Sequence, residues 1–308
     1  MDFSEQNAAA VGIDSNSTAA PSNTPFKFYH YDPTTAGAVI FILLFVGTTC
    51  LHLLQLFRTR CWIVIPLIVG GVLEAIGYGG RFALGRESPE WTLGPYIIQA
   101  ILLLVAPALF AATIYMELGR IILRVDGEAH ALIRKKWLTK IFVCGDVLSF
   151  VLQVGGGGYQ ASGSLSALET GAHIIIAGLF VQLVFFGVFI VIAVSFNVAL
   201  RRAPTARSSR LVPWEKHMMA LYVASGLIVV RSVFRAVEYL QGFDGYLLRH
   251  EAYLYIFDAL LMFLVMVLFN VIHPSEVMAV VNAEKDFGYG FELGGVSHSH
   301  RRLPSDMR

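Results

Sequence analysis

Charged side chains are scarce in this sequence. Only 15% of its 308 residues are Asp, Glu, Lys or Arg, against about 25% in a typical soluble domain. With 56% hydrophobic residues and a mean hydropathy of +0.64, the shortage points to lipid as the solvent of most of the chain. The net charge of +1 averages over uneven segments, and no basic, aromatic-interleaved stretch suited to nucleic acid is present. Cysteine is rare too. Cys50, Cys61 and Cys144 lie in apolar runs without the Cys/His spacing of a zinc site, so they read as small packing residues and no disulfide framework or metal site is expected. The motifs G-x-x-x-x-G-K-[ST], H-E-x-x-H and G-x-S-x-G are missing, which removes ATP hydrolysis by this chain and two common hydrolase routes. No enzyme activity and no cofactor are expected. The last span lacks a lysine for a retinal Schiff base. The first thirty residues lack a basic segment followed by an apolar one, so no cleavable signal peptide is expected and the first span serves as the entry signal.

What the chain does have is seven apolar stretches near 35–57, 61–82, 95–119, 138–158, 171–199, 217–240 and 251–273, each close to the roughly 20 residues that cross about 30 Å of hydrocarbon. The expected fold is therefore all-α, a polytopic seven-transmembrane-helix bundle over residues 34–274. Before it, residues 1–33 are rich in Ser, Asn, Ala, Thr and Pro, the composition of a disordered tail, and carry one glycosylation sequon at Asn16. A second tail, residues 275–308, follows. Lys and Arg concentrate in the loops after spans one, three and five, which predicts those loops to be cytoplasmic, the N-terminus outside and the C-terminus inside. No internal repeat and no loop-borne soluble domain is visible.

The informative charges lie inside the spans. Span two carries Glu74 and Arg81, span four Asp146 and Gln153, span six Arg231, Arg235 and Glu238, and span seven Glu251 and Asp258. In each span the outermost two stand seven residues apart, so they project from one face about 10 Å apart along the axis. By direction of travel, Arg81, Arg235, Glu238 and Glu251 belong toward the outer side, Glu74, Arg231 and Asp258 nearer the middle, and Asp146 deeper. A charge at the bilayer centre costs about 2.5–3.5 kcal/mol on insertion scales, so such residues face the bundle interior and mark either a site or an internal pair. Three arginines against five carboxylates cannot neutralise one another fully, so at least one acid is left to a proton, water or a ligand cation. The bland alternative is a set of salt bridges that only hold helices together.

Softer features accompany these. Gly70, Gly71, Gly77, Gly79 and Gly80, and the run Gly155 to Gly158, permit tight helix packing or, alternatively, a broken helix lining a cavity. Pro66 and Pro107 predict kinks. Gln99, Gln153 and Gln182 supply uncharged hydrogen bonds, and Trp62, Trp91, Trp137 and Trp214 fall near the rims as an aromatic belt would.

Several strings are shared with a known family: Glu74-Ala75-Ile76-Gly77-Tyr78 with Arg81; Gln99 with Ala106-Pro107-Ala108-Leu109; Ile114-Tyr115-Met116 with Gly119-Arg120; and Asp146 with Gln153. Further on come Gly178-Leu179 with Gln182, Arg231-Ser232-Val233-Phe234-Arg235 with Glu238-Tyr239, His250-Glu251 with Tyr255 and Asp258, and His273-Pro274. Together they resemble the fungal RTA-like family of lipid-translocating exporters, over roughly residues 30–280. The resemblance implies an integral protein of the plasma membrane or of endomembranes that exports lipids or amphiphiles, such as phospholipids or sphingoid long-chain bases, and protects against toxic amphiphiles. Some relatives are connected with porphyrin uptake, so the substrate does not carry across the family. The expected partners are membrane lipids or amphiphilic small molecules, with a homo-oligomer left open and nucleic acid not expected. The expected translocation site comprises Glu74, Arg81, Gln99, Asp146, Gln153, Arg231, Arg235, Glu238, Glu251 and Asp258. A seven-helix receptor or stress sensor is the alternative, weakened by the lack of Asp/Glu-Arg-Tyr after span three and of N-P-x-x-Y in span seven.

Overall fold

A computed structural model of the chain describes residues 34–87, 93–160, 165–208, 214–241, 245–247 and 250–276. The N-terminal tail with Asn16, and the second tail beyond Glu276, lie outside them. Among the described residues the fold is all-α, without strands: α1 (Thr35–Thr59), α2 (Ile65–Glu87), α3 (Leu93–Arg124), α4 (Lys135–Gln160), α5 (Leu165–Arg202), α6 (Trp214–Gln241) and α7 (Glu251–Val271). All seven are long and apolar enough to cross a membrane. Their exteriors carry bare Leu, Val, Ile and Phe while Arg, Glu and Asp are enclosed, the reverse of a soluble protein's arrangement. The chain is an integral membrane protein.

Helices follow the expected spans with two extensions. α3 has 32 residues and α5 has 38, or about 48 and 57 Å at 1.5 Å per residue, so both overrun the hydrocarbon layer. Pro66 does not kink α2. It follows a 3-10 turn at Trp62–Val64 and sits in the helix's first turn, where its missing N–H costs nothing. Left-handed Arg60, whose amide donates to the Leu56 carbonyl at 2.8 Å, ends α1 just before it.

Sequential helices pack as neighbours, α7 returns to α1, and α3 also meets α6 across the middle. Glycines set the closest approaches. A Cβ on Gly70 would stand 2.5 Å from the Phe110 ring of α3, and one on Gly178 of α5 would stand 2.9 Å from the Ser149 carbonyl oxygen of α4. The glycine run does not break α4, which continues to Gln160; within it Gly156 meets α5, whereas Gly155, Gly157 and Gly158 face open space. Of the cysteines only Cys61 packs inside, with Ile63, Val64 and Ile68, while Cys50 and Cys144 are exposed on apolar exteriors. Trp62 and Trp137 are exposed as rim residues should be, but Trp214 is buried and donates to the Ser208 carbonyl. Trp91 lies outside the described residues.

Candidate functional site

Seven of the expected site residues converge between α2, α6 and α7. They form two layers. In the first, the Arg81 guanidinium of α2 is fully buried and donates through Nη2 to Glu251 Oε1 of α7 at 2.7 Å. The same carboxylate accepts the backbone N–H of Thr34 at 2.9 and 3.0 Å, which satisfies one of the open donors at the start of α1. Arg81 Nε donates to the Tyr255 hydroxyl at 3.1 Å, and the hydroxyl donates on to the Thr34 carbonyl at 3.3 Å. On α6, Arg235 Nη1 pairs with Glu238 Oε2 at 2.7 Å, three residues along the same helix.

The second layer holds Glu74, Arg231 and Asp258, all buried, seven residues from Arg81, Glu238 and Glu251 respectively. Arg231 Nε forms an ion pair with Asp258 Oδ1. Its Nη2 donates to the Leu103 carbonyl of α3 at 2.5 Å. That acceptor is free because Pro107, four residues on, has no N–H to return to it. The proline expected to kink α3 thus supplies a docking point for an arginine from α6. Asp258 sits in a π-helical turn, Tyr255–Leu260, that interrupts α7. Glu74 faces both Asp258 and Arg231 but has no ion-pair partner of its own, and its Oε1 has no hydrogen-bond partner among the described residues.

The network therefore holds Arg81, Arg231 and Arg235 against Glu251, Asp258, Glu238 and Glu74, three cations against four acids. Each arginine has an acid and Glu74 is the remainder.

Asp146 and Gln153 do not join this face, although their spacing is the same. They lie in a seam between α4 and α5, where Ser149 Oγ donates to the Gly178 carbonyl at 2.7 Å and Gln153 Nε2 reaches Ser149 Oγ at 2.5 Å and Gln182 Oε1 at 3.3 Å. Asp146 lies beside the Tyr115 hydroxyl of α3, and neither of its oxygens completes a hydrogen bond of ordinary geometry among the described residues. No ion pair links this seam to the arginine network among the described residues. α4 packs on α5 and α3 and turns its polar stripe toward them, which leaves it away from α6 and α7. Gln99 of α3 is buried toward α2, its backbone N 3.3 Å from where a Cβ on Gly80 would be.

Sequence reasoning missed a second buried polar node. Glu117 of α3 and His217 of α6 are both enclosed and meet at 3.1 Å. Glu276 approaches His217 Nε2 at 3.7 Å and pairs with Lys216 at 2.9 Å. His273, just past α7, is held below its ordinary pKa by burial, with Glu276 opposing the shift and His217 adding to it. The signal was spacing between helices. Glu117 stands fourteen residues after Leu103 and His217 fourteen before Arg231, about 21 Å along two antiparallel helices that touch at both points.

The family model described as RTA1 like protein matches residues 67–280. Protoporphyrin uptake protein 1 of Saccharomyces cerevisiae is 38% identical, over 81% of this chain and 93% of its own length. Protein RTA1 of the same yeast is 35% identical, over 81% of this chain and 85% of its own length. The yeast sphingoid long-chain base transporter RSB1 is 29% identical, over 73% and 67%. No solved structure matches the chain.

Proposed function

The chain belongs to the RTA1-like family, and on that premise we propose that it translocates lipids or related amphiphiles across its membrane, with the headgroup received by the charged network of α2, α6 and α7. The observation that carries this reading is the imbalance of that network: three arginines are each paired with an acid and Glu74 is left over, buried and without an ion-pair partner among the described residues. Buried charges that only fasten helices would be expected to cancel. An unmatched acid is suited to a ligand, and the seven-residue spacing of the two layers offers a headgroup successive contacts along the bundle axis. Relatives named for a sphingoid base and for protoporphyrin share an amphiphilic cargo rather than one headgroup. Without phosphate-loop chemistry in this chain, movement runs downhill or draws on an ion gradient.

Asp146 and Gln153, set in the seam between α4 and α5, support the helices beside this path, and Gln99 lines the approach from α3. The Lys and Arg distribution sets α1 to begin outside, so Asn16 would be open to glycosylation and the pairs of the first layer would lie toward the outer face. The plasma membrane is the fitting location for export of toxic amphiphiles.

The test is flux in liposomes that contain only the purified protein, with fluorescent phospholipid and fluorescent sphingoid base as probes. Transbilayer movement above protein-free vesicles is the expected result. Background rates for both probes, at neutral and acidic pH alike, would sink the proposal.

A further inference from the structure

Glu74 has a distinctive position within the network. The charged groups that face it are Asp258 from α7 and Arg231 from α6; on its own helix Tyr78 and Arg81 are the nearest ionisable side chains along the chain. Arg231 is already committed, its Nε to Asp258 and its Nη2 to the carbonyl that Pro107 leaves open on α3. Arg81 is held by Glu251 and Tyr255, and Arg235 by Glu238. An ionised Glu74 would therefore leave one net negative charge in an enclosed site, an expense that a low dielectric makes large. A proton removes it without moving any side chain.

We propose that Glu74 is a proton-exchange site: it carries a proton while no ligand is bound and releases it to water when the ammonium group of a cationic amphiphile takes the proton's place. The O–H bond of the carboxyl group breaks, its electron pair stays on the carboxylate, and the proton leaves as hydronium. No covalent bond to the ammonium forms, so charge in the site is the same before and after. Export of a cation would thereby be coupled to proton entry on the return step, which supplies an energy source without nucleotide. The inference rests on the translocator reading above and adds the coupling ion and the residue that carries it.

The geometry distinguishes Glu74 from the acids around it. Asp258, Glu251 and Glu238 each have an arginine at ion-pair distance, so none of them must lose or gain a proton for the site to be neutral. Replacement of Glu74 by glutamine imitates the protonated acid in shape and charge. Glu74→Gln should accordingly fold and melt like the parent protein or above it, and yet lose proton exchange. A purely structural anion would give the opposite pattern.

The experiment uses the full chain in sealed vesicles with an internal pH dye. The probe is dodecyltrimethylammonium, a permanent cation that cannot carry a proton across by itself, and fluorescent phosphatidylcholine runs in parallel. The expected result is cation flux with matching proton counterflow, counterflow lost in Glu74→Gln and retained in Glu74→Asp. Cation flux without counterflow, or counterflow that survives Glu74→Gln, overturns the inference and leaves the translocator reading intact. Movement of phosphatidylcholine but not of the cation does the same. Failure of both probes in the parent protein overturns the translocator reading itself. A Glu74→Gln protein that does not fold marks Glu74 as a required anion and also overturns the inference.

Discussion

Two regions of the bundle carry the same pattern of polar residues seven apart, and they use it differently. In α2, α6 and α7 the pattern gives ion pairs in two layers, with Arg231 at the junction of three helices and Glu74 in surplus. In α4 it gives a seam of neutral hydrogen bonds, Ser149 to Gly178 and Gln153 to Gln182, drawn tight by glycines. Asp146 at the end of that seam is enclosed beside Tyr115 and forms no ion pair with an arginine among the described residues. The difference teaches that spacing decides which face of a helix is polar, whereas counter-charge on the neighbour decides whether that face can exchange ions. A seam without cations holds helices. A network with one acid too many can hold a ligand.

The comparison breaks most sharply at Arg231. Arg231→Gln strips the cation from buried Asp258 and empties the Leu103 carbonyl, and loss of one partner of a buried pair costs about 3–5 kcal/mol. Asp258→Asn should cost distinctly less, because Glu74 faces the same guanidinium and can take over as its anion. Unfolding of the two purified variants in detergent checks the order, and equal destabilisation would remove Glu74 from the network. A change of intermediate size belongs to the seam. Gly178→Leu drives a side chain into the Ser149 carbonyl and Gln153 of α4, and overpacking of this kind costs about 1–3 kcal/mol. Gly157→Ala, which meets nothing within 4 Å, should be neutral or gain up to about 1 kcal/mol from helix propensity; the pair compared by thermal unfolding shows whether the seam is packed as described. The smallest effect is expected at Asp146. Asp146→Asn keeps the size and shape of an enclosed side chain that makes no ion pair among the described residues, so a stability change within about 1 kcal/mol and unaltered flux are expected in the liposome assay.

Much of this is legible in the sequence. The apolar runs located all seven helices, and direction of travel ordered the charges correctly into a layer with Arg81 and Glu251 and a layer with Glu74, Arg231 and Asp258. Contacts between distant segments were not legible. Nothing in the local sequence says that Asp146 turns toward α5 and Tyr115, because that depends on which helices become neighbours. Pro107 read as a kink, and its larger consequence, a carbonyl left open for Arg231, needs the partner helix to be seen. Glu117 and His217 escaped notice because each lies near a span end, where a single polar residue is ordinarily hydrated; only their meeting at 3.1 Å inside the bundle marks them. Glu251 reads in the sequence as an outer-layer site residue, and its role in accepting the Thr34 amide at the head of α1 joins residues 217 positions apart.

The central claim is that the acid at Glu74 exchanges its proton and the acid at Asp146 does not. Infrared difference spectra of the reconstituted protein, taken before and after addition of dodecyltrimethylammonium, test it directly. The account predicts loss of a protonated-carboxyl stretching band in the parent protein and in Asp146→Asn, and no such loss in Glu74→Gln. A band that disappears on addition of the cation in Glu74→Gln, or that disappears only while Asp146 is present, would contradict it.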